Sequence, residues 1–314
     1  WIDYNNDGIQ DLNEFEVAQF QDQASFVRVL LPNQVFLPTH QNKFSQTLAL
    51  NPISWINEKG YKKFLSRFYN QTSYLIDRMV AREGENFNLN PFASSDDQLG
   101  LNLSFRNSLF FNRGKQRFTT NYTYLSTANE NLQSIGSISN EIESHQLRFL
   151  HKIKDTWLIT VNAQTGINAS RSENFINRNF EIEDVLLRPQ LSYLFDTSNR
   201  VEVFYEYQNK DNQLNETATL SQQNLGIAWA LNKSQNYAVN GEIAYVKNDF
   251  EGQAFSPVGF QMLEGLQPGT NVTWNLLFQK NITKFLDLNL SYSGRSSETA
   301  RTVHTGNVQL KAYF

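Results

Sequence analysis

Val201-Glu-Val-Phe-Tyr-Glu-Tyr-Gln208 puts Val201, Val203, Tyr205 and Tyr207 on one side of an extended chain and Glu202, Glu206 and Gln208 on the other. Successive side chains of a strand point to opposite faces, so this period of two predicts a strand with one apolar and one polar face. The pattern recurs in both directions. Upstream, Leu99, Leu101, Leu103 and Phe105 alternate with Asn102, Ser104 and Arg106, and Trp157, Ile159, Val161 and Ala163 with Thr160, Asn162 and Gln164. Val185, Leu187, Leu191, Tyr193 and Phe195 oppose Arg188, Gln190 and Ser192. Downstream come Leu225–Leu231, Tyr237–Tyr245, Val272–Phe278, Leu286–Tyr292 and Val308–Phe314. No long stretch repeats at 3.6 residues, so the chain reads as all-β.

The composition agrees. The 314 residues include 24 Phe, 13 Tyr and 5 Trp, while charged residues are 18% of the chain and the mean hydropathy is −0.50. No run of about 18 apolar residues occurs, which excludes helical membrane spans. A net charge of −4 gives no basic surface for nucleic acid, and the absence of cysteine excludes disulfides and thiolate chemistry. A first residue of Trp, with no Met and no signal-peptide pattern, reads as a piece of a longer polypeptide or a processed product.

The connections point to an architecture. Tight turns are expected at Arg113–Lys115, Lys154–Asp155, Asp196–Asn199, Asn232–Gln235 and Asn281–Lys284. Longer loops are expected at roughly 80–97, 128–142, 171–183, 209–217, 249–270 and 295–301. Short turns alternating with long loops, between strands of about ten residues, fit an up-and-down antiparallel transmembrane β-barrel. Such barrels lie in the outer membrane of Gram-negative cells, with short turns in the periplasm. Twelve strands count from about Lys62, and segments near 24–33 and 42–51 would make fourteen; both totals are even, as single-chain bacterial barrels require. Domain boundaries follow: 1–23 as a periplasmic lead-in and 24–314 as the barrel. The polar faces, with Arg106, Arg148, Lys152, Arg188, Glu202, Glu206, Glu242, Asp287 and Lys311, would line the interior. Against lipid, Lys or Arg costs about 2–4 kcal/mol at the midplane. Tyr122, Tyr124, Tyr207, Trp229, Tyr245, Trp274 and Tyr292 supply aromatics for interfacial girdles.

The sharpest local motif is Asp3-Tyr-Asn-Asn-Asp-Gly-Ile-Gln-Asp-Leu-Asn-Glu14. Oxygen donors fall at loop positions 1, 3, 5, 9 and 12 as Asp3, Asn5, Asp7, Asp11 and Glu14. Gly8 takes the sharp turn at 6, and Ile9 at 7 offers its carbonyl. This is EF-hand-like spacing, and calcium is the expected cofactor, fixing the chain's entry into the barrel. The alternative is a solvated turn that binds nothing.

At the other end, alternating Val308, Leu310, Ala312 and terminal Phe314 are similar to the terminal strand signal read by barrel-assembly machinery. Together, residues 1–18, Met262-Leu-Glu-Gly-Leu-Gln-Pro-Gly-Thr-Asn271 and Arg301–Phe314 resemble the C-terminal part of large, mostly uncharacterised outer-membrane proteins of the Bacteroidota. That resemblance implies location and fold and carries no defined activity. The segment 263–269 admits two roles, a loop folded over the pore or a rigid lead-in to the next strand.

The expected function is thus a non-enzymatic barrel domain of a larger protein, a conduit or anchor in transport, export or envelope assembly. Its expected partners are outer-membrane lipid, the assembly machinery and an envelope protein complex. Two other classes stand beside it: a soluble or surface calcium-binding, adhesin-like β-protein, and a barrel hydrolase using His304 with Ser296, Ser297 or Glu298. His145 and His151, on one strand with apolar neighbours, are expected at a membrane interface rather than in catalysis.

Overall fold

The computed structural model describes residues 1–29, 37–82, 90, 98–114, 117–133, 136–233 and 236–313. Among them, thirteen strands form one sheet in chain order, every neighbour antiparallel. They are β1 (Thr39–Leu50), β2 (Phe68–Ala81), β3 (Gln98–Phe111), β4 (Phe118–Gln133), β5 (Gly136–Ile153), β6 (Trp157–Ser172) and β7 (Phe180–Leu194). Then follow β8 (Arg200–Asn212), β9 (Ala218–Lys233), β10 (Tyr237–Glu251), β11 (Gly269–Thr283), β12 (Leu286–Ser297) and β13 (Val303–Ala312). A helix α1 (Tyr61–Leu65) precedes β2, and α2 (Pro257–Leu263) lies between β10 and β11.

The up-and-down order is the one expected, and three details differ. The count is thirteen, not twelve or fourteen, so β1 and β13 run in the same direction and are not paired with each other among the described residues. Of the strand expected near 24–33, residues 24–29 are not in a strand, and 30–33 lie outside the described residues. The expected loop 128–142 is mostly strand: β4 runs to Gln133 and β5 starts at Gly136. Asn129, Glu130 and Asn131 looked like loop residues because they are polar, yet they continue the ladder opposite Asn140, Ser139 and Ile138. Strands of 16 and 18 residues outrun a tilted crossing of about 9–11, so they project past the apolar band.

Of the expected tight turns, Lys154–Asp155 and Asp196–Asn199 are connections as expected, the turn expected at 281–284 falls at Lys284–Phe285 because β11 runs on to Thr283, and residues 115 and 234–235 lie outside the described residues. Lys154 and Asp155 both take left-handed φ, 49° and 57°, and the Thr156 amide donates to the Ile153 carbonyl at 3.3 Å, closing a three-residue connection between the paired Ile153 and Trp157. Asp196 closes its turn by accepting from the Ser198 and Asn199 amides at 2.7 and 2.9 Å.

Registers fix the two faces. One carries Val185, Leu187, Val203, Leu225, Ile227, Ile243 and Tyr245, of which Leu225 is 54% and Ile243 51% exposed. Large apolar side chains left outside on strand after strand are an uncovered surface far larger than a soluble monomer shows. By register, Arg106, Arg148, Lys152, Arg188, Glu202, Glu206, Glu242, Asp287 and Lys311 all fall on the opposite face. The apolar face has a polar interruption between β2 and β3. There Asn107 donates to Thr72 at 2.7 Å and exchanges amide hydrogen bonds with Asn70, so these groups satisfy one another.

Residues from seven successive strands, β7 to β13, line one cavity of about 510 Å³ on the polar face. Six inter-strand steps of about 4.8 Å would span roughly 29 Å in a flat sheet, so the sheet curls with its polar face inward. Among the described residues no helix is long and apolar enough to cross a membrane.

Candidate functional site

Two segments fill the concave polar face, and each is fastened by side chains of the strands beneath it. The first is the β10–β11 connection. Ser256 caps α2 by accepting the Gly259 amide at 2.9 Å, with Pro257 in the first turn, where its missing N–H costs nothing. Val258, Met262 and Leu263 are buried against Ile182, Ala218 and Leu220. Those three are apolar residues at polar-face positions, and they need a cover. Lys210, buried on β8, reaches the Met262 carbonyl at 3.1 Å and the Glu264 carboxylate. Asn248 donates to the Gln267 carbonyl at 3.0 Å, and Asn271 both donates to that carbonyl and accepts the Gln267 amide. Residues 257–267 therefore fold over the inner face, while Pro268–Gly269 turns the chain into β11. The two roles open for 263–269 are divided within the same segment.

The second is the N-terminal segment. Arg178, in the β6–β7 connection, holds the carbonyls of Asn13 and Phe15 at 2.7 and 3.1 Å and the Glu16 carboxylate at 2.7 Å. Arg295 on β12 grips Asp22 with both terminal nitrogens, at 2.6 and 2.8 Å, and stacks 4.2 Å from the Phe20 ring centre. Gly265, at φ 76°, lets Phe20 in; a Cβ there would sit 3.0 Å from the ring. Burial raises the Glu16 carboxyl above its usual range, an effect that Arg178 only partly offsets. The hydrogen bonds from Arg295 hold Asp22 below its usual range. Every one of these anchors is at the long-connection end of the sheet. The lead-in 1–23, expected on the tight-turn side, is docked at the opposite end, because its acidic residues find Arg178 and Arg295 there.

Between the two segments lies the cavity, roofed by Phe20, Asp22 and Leu266. Its wall carries Glu206, paired with Arg188 at 3.1 Å. Arg188 also lies 4.0 Å over the ring of Phe204, which is 2% exposed and packs with Ala244 and Val246. What remains uncommitted on the wall is neutral: Asn224, Thr273, Asn275, Ser293 and Thr305.

In the motif at 3–14, Asp3 accepts the Gly8 amide at 3.0 Å, Asn5 accepts the Asp7 amide at 2.9 Å, and Asp7 accepts the Ile9 amide at 2.6 Å. Gly8 has the left-handed φ of 75° that the sharp turn needs. The second Asp3 carboxylate oxygen is buried with no hydrogen-bond partner. Glu14 is committed elsewhere. It is buried at 1% exposure, accepting the Trp1 indole N–H at 2.9 Å and the Tyr4 amide at 3.2 Å. Asp11 gives no side-chain cap to the turn after it. Within the loop Asn5 donates to Asp7 at 3.0 Å and Asp3 accepts from Gly8, while the Glu14 carboxylate is spent on Trp1 and Tyr4. Among the described residues no group of three or more His, Asp or Glu is placed to hold a metal.

The other singled-out residues are also placed. His304 sits on the apolar face, 2.8 Å from the Tyr292 hydroxyl, stacked on the Tyr292 ring and tilted against Trp274 at 5.4 Å. Ser296 bonds Thr302 and Ser297 accepts the Ala300 amide, so the proposed serine partners are engaged elsewhere. His145 repeats the arrangement, with Tyr122 at 2.7 Å and the Tyr124 ring beside it. His151 lies by Phe118 and Phe149. Phe314 falls outside the described residues.

No family model matches the chain, and no curated protein matches it. Among solved structures, the ferric-catecholate import receptor Fiu of Escherichia coli is similar at 9% identity over 82% of this chain, with a TM-score of 0.48. The outer membrane transporter YddB of Escherichia coli is similar at 9% identity over 86%, with 0.47. The chain spans about half the length of each, 49% and 50%. The transport unit of the autotransporter AIDA-I, also from Escherichia coli, is similar at 7% identity over 92% of this chain and 94% of its own, with 0.34. All three scores are below 0.5, so the fold rests on the strand pairing described above.

Proposed function

We propose that this chain is an outer-membrane β-barrel domain of a larger envelope protein, acting as a conduit whose wide mouth is filled by residues 1–29 and 252–268. One observation carries this: exposed apolar rows and an inward polar face alternate along strand after strand. In water the apolar rows would have to be covered, at roughly 1.5–3 kcal/mol per Leu, Ile or Val left bare. In a bilayer they face acyl chains, and the paired charges inside are spared contact with lipid. The Tyr–His and Trp–His groups at 122–145 and 274–304 then sit at a polar–apolar boundary, where amphipathic rings are favoured.

The test is extraction and migration. The chain should resist carbonate extraction, require detergent, and run faster on a gel unheated than boiled, as folded barrels do. Release by salt or carbonate alone would instead place it in the soluble, adhesin-like class. Partners follow the same reading: the assembly machinery through the strand ending at Phe314, and other envelope proteins through the rest of the longer chain.

Calcium belongs to this proposal as a structural ion. Asp3, Asn5, Asp7, the Ile9 carbonyl, Asp11 and Glu14 would hold it, neutralising the loop's carboxylates. The orphaned Asp3 oxygen and the Gly8 turn favour it, while Glu14 would have to leave Trp1 and Tyr4. Weak binding, in the range of about 10⁻⁴–10⁻³ M typical of extracellular modules, is therefore expected. Calorimetry should show uptake that Asp3→Asn abolishes; no heat at millimolar calcium would remove the ion from the account.

A further inference from the structure

One connection at the tight-turn end is unlike its neighbours. Residues 51–67, between β1 and β2, are far longer than the other turns there and hold a 3-10 turn at Pro52–Asn57 followed by α1. Within them Ile53, Trp55, Ile56, Tyr61, Phe64 and Leu65 are all exposed, Tyr61 at 72% and Phe64 at 53%. So many large apolar groups on a short segment need a cover.

The position of Phe64 says on which side that cover lies. Its ring is 5.3 Å from Phe68 and 6.0 Å from Phe111. Phe68 and Phe111 pair directly across β2 and β3, and the row continues through Phe118 to His151. By register, all of these are on the apolar face, so the segment's apolar side is continuous with the lipid-facing rows. Charge supplies the second half. The segment carries Lys59, Lys62, Lys63 and Arg67 against Glu58 alone, four cations to one anion in a chain of net charge −4. None of the four makes an ion pair among the described residues.

We propose that residues 52–67 form a lipid-headgroup site in the leaflet at the tight-turn end. Ile53, Trp55, Ile56, Tyr61, Phe64 and Leu65 sit among the upper acyl carbons, and Lys59, Lys62, Lys63 and Arg67 bind the phosphates of anionic phospholipid. Short aromatic and aliphatic faces flanked by cations are what an interface selects, and two signals together hold better than either alone. The site rests on the barrel being in a membrane, and the controls separate the two.

The chain has no cysteine, so one can be introduced anywhere as a unique label site. Ile56→Cys, labelled with an environment-sensitive fluorophore, is reconstituted as the full chain into phosphatidylcholine vesicles with and without phosphatidylglycerol, each with brominated lipid as quencher. The same label at Ile227→Cys, on the outer row of β9, is the control. Expected is quenching at both positions, increased by phosphatidylglycerol only at 56. Inorganic phosphate should not reverse it, since free phosphate lacks the acyl anchor. Replacing the four cations by Gln should remove the phosphatidylglycerol-dependent part, and Lys62→Gln with Lys63→Gln should remove much of it if the fourfold variant does not fold. Quenching at 227 with none at 56, or equal quenching at 56 in neutral and anionic vesicles, overturns the site and leaves the barrel standing. A label at 56 that is shielded only in native membranes means a protein partner and also overturns it. No quenching at 227 overturns the barrel itself.

Discussion

Phe204 turns inward only because Gly226, its neighbour across the ladder, has no side chain: a Cβ there would lie 2.3 Å from the ring. That ring, Arg188 over it and Glu206 beside Arg188 make the wall of the cavity rigid where charges would otherwise face water. Gly226→Ala should therefore destabilise the fold by about 1–3 kcal/mol, the usual cost of overpacking a fixed site. The check is the temperature at which the unheated gel form is lost, which should fall; an unchanged temperature would mean that Phe204 is free to move. Single residues also show what a sequence hides. Phe204, Leu220 and Val246 sit at polar-face positions of β8, β9 and β10, and the alternation does not show what covers them, because α2 and Leu266 reach them across the fold rather than along the chain.

At the scale of elements, the strands and tight turns were legible, since a period of two and a left-handed Lys154–Asp155 pair are local properties. The segment 1–29 was not, because its place depends on Arg178 and Arg295, far along the chain. Its docking should respond to those arginines. In Arg178→Ala with Arg295→Ala, protease should cut within 13–29 many times faster than in the parent while the strands stay protected. Equal protection would show that packing of Phe20 suffices.

Docking should also depend on pH with a definite sign. Asp22 is held below its usual value of 3.8 by Arg295, so its contribution is complete above that value and lost as pH falls through the lowered one. Glu16 is raised above 4.5 by burial, so the docked form binds more protons and docking weakens as pH rises from 4.5 through the raised value. Protection of 13–29 should accordingly be greatest at mildly acid pH, between the two transitions. A monotonic rise to neutral pH would contradict the burial assigned to Glu16. Removal of 257–266 should open the cavity from above and raise the conductance of reconstituted protein, since Leu266 roofs the cavity and Val258, Met262 and Leu263 cover the inner face beside it.

For the whole molecule, the decisive property is which face meets lipid. Alternation predicted two faces, register confirmed that they stay in phase from strand to strand, and the curl of β7–β13 around one cavity sets the polar one inside. Thirteen strands among the described residues fall inside the expected twelve to fourteen, and only the parity differs. An even count was expected of a closed single-chain barrel, and thirteen described strands leave β1 and β13 as separate edges running the same way. The most direct measurement is a spin-label scan along β9, with one introduced cysteine at each position from Gln222 to Leu231 in reconstituted protein. Labels at 225, 227, 229 and 231 should collide with oxygen dissolved in the bilayer, and labels at 222, 224, 226 and 228 with a water-soluble nickel complex or with neither. A strict period of two in oxygen access is the predicted result. Nickel access at both sets, with no oxygen-rich positions, would show a sheet with water on both faces and contradict the membrane barrel.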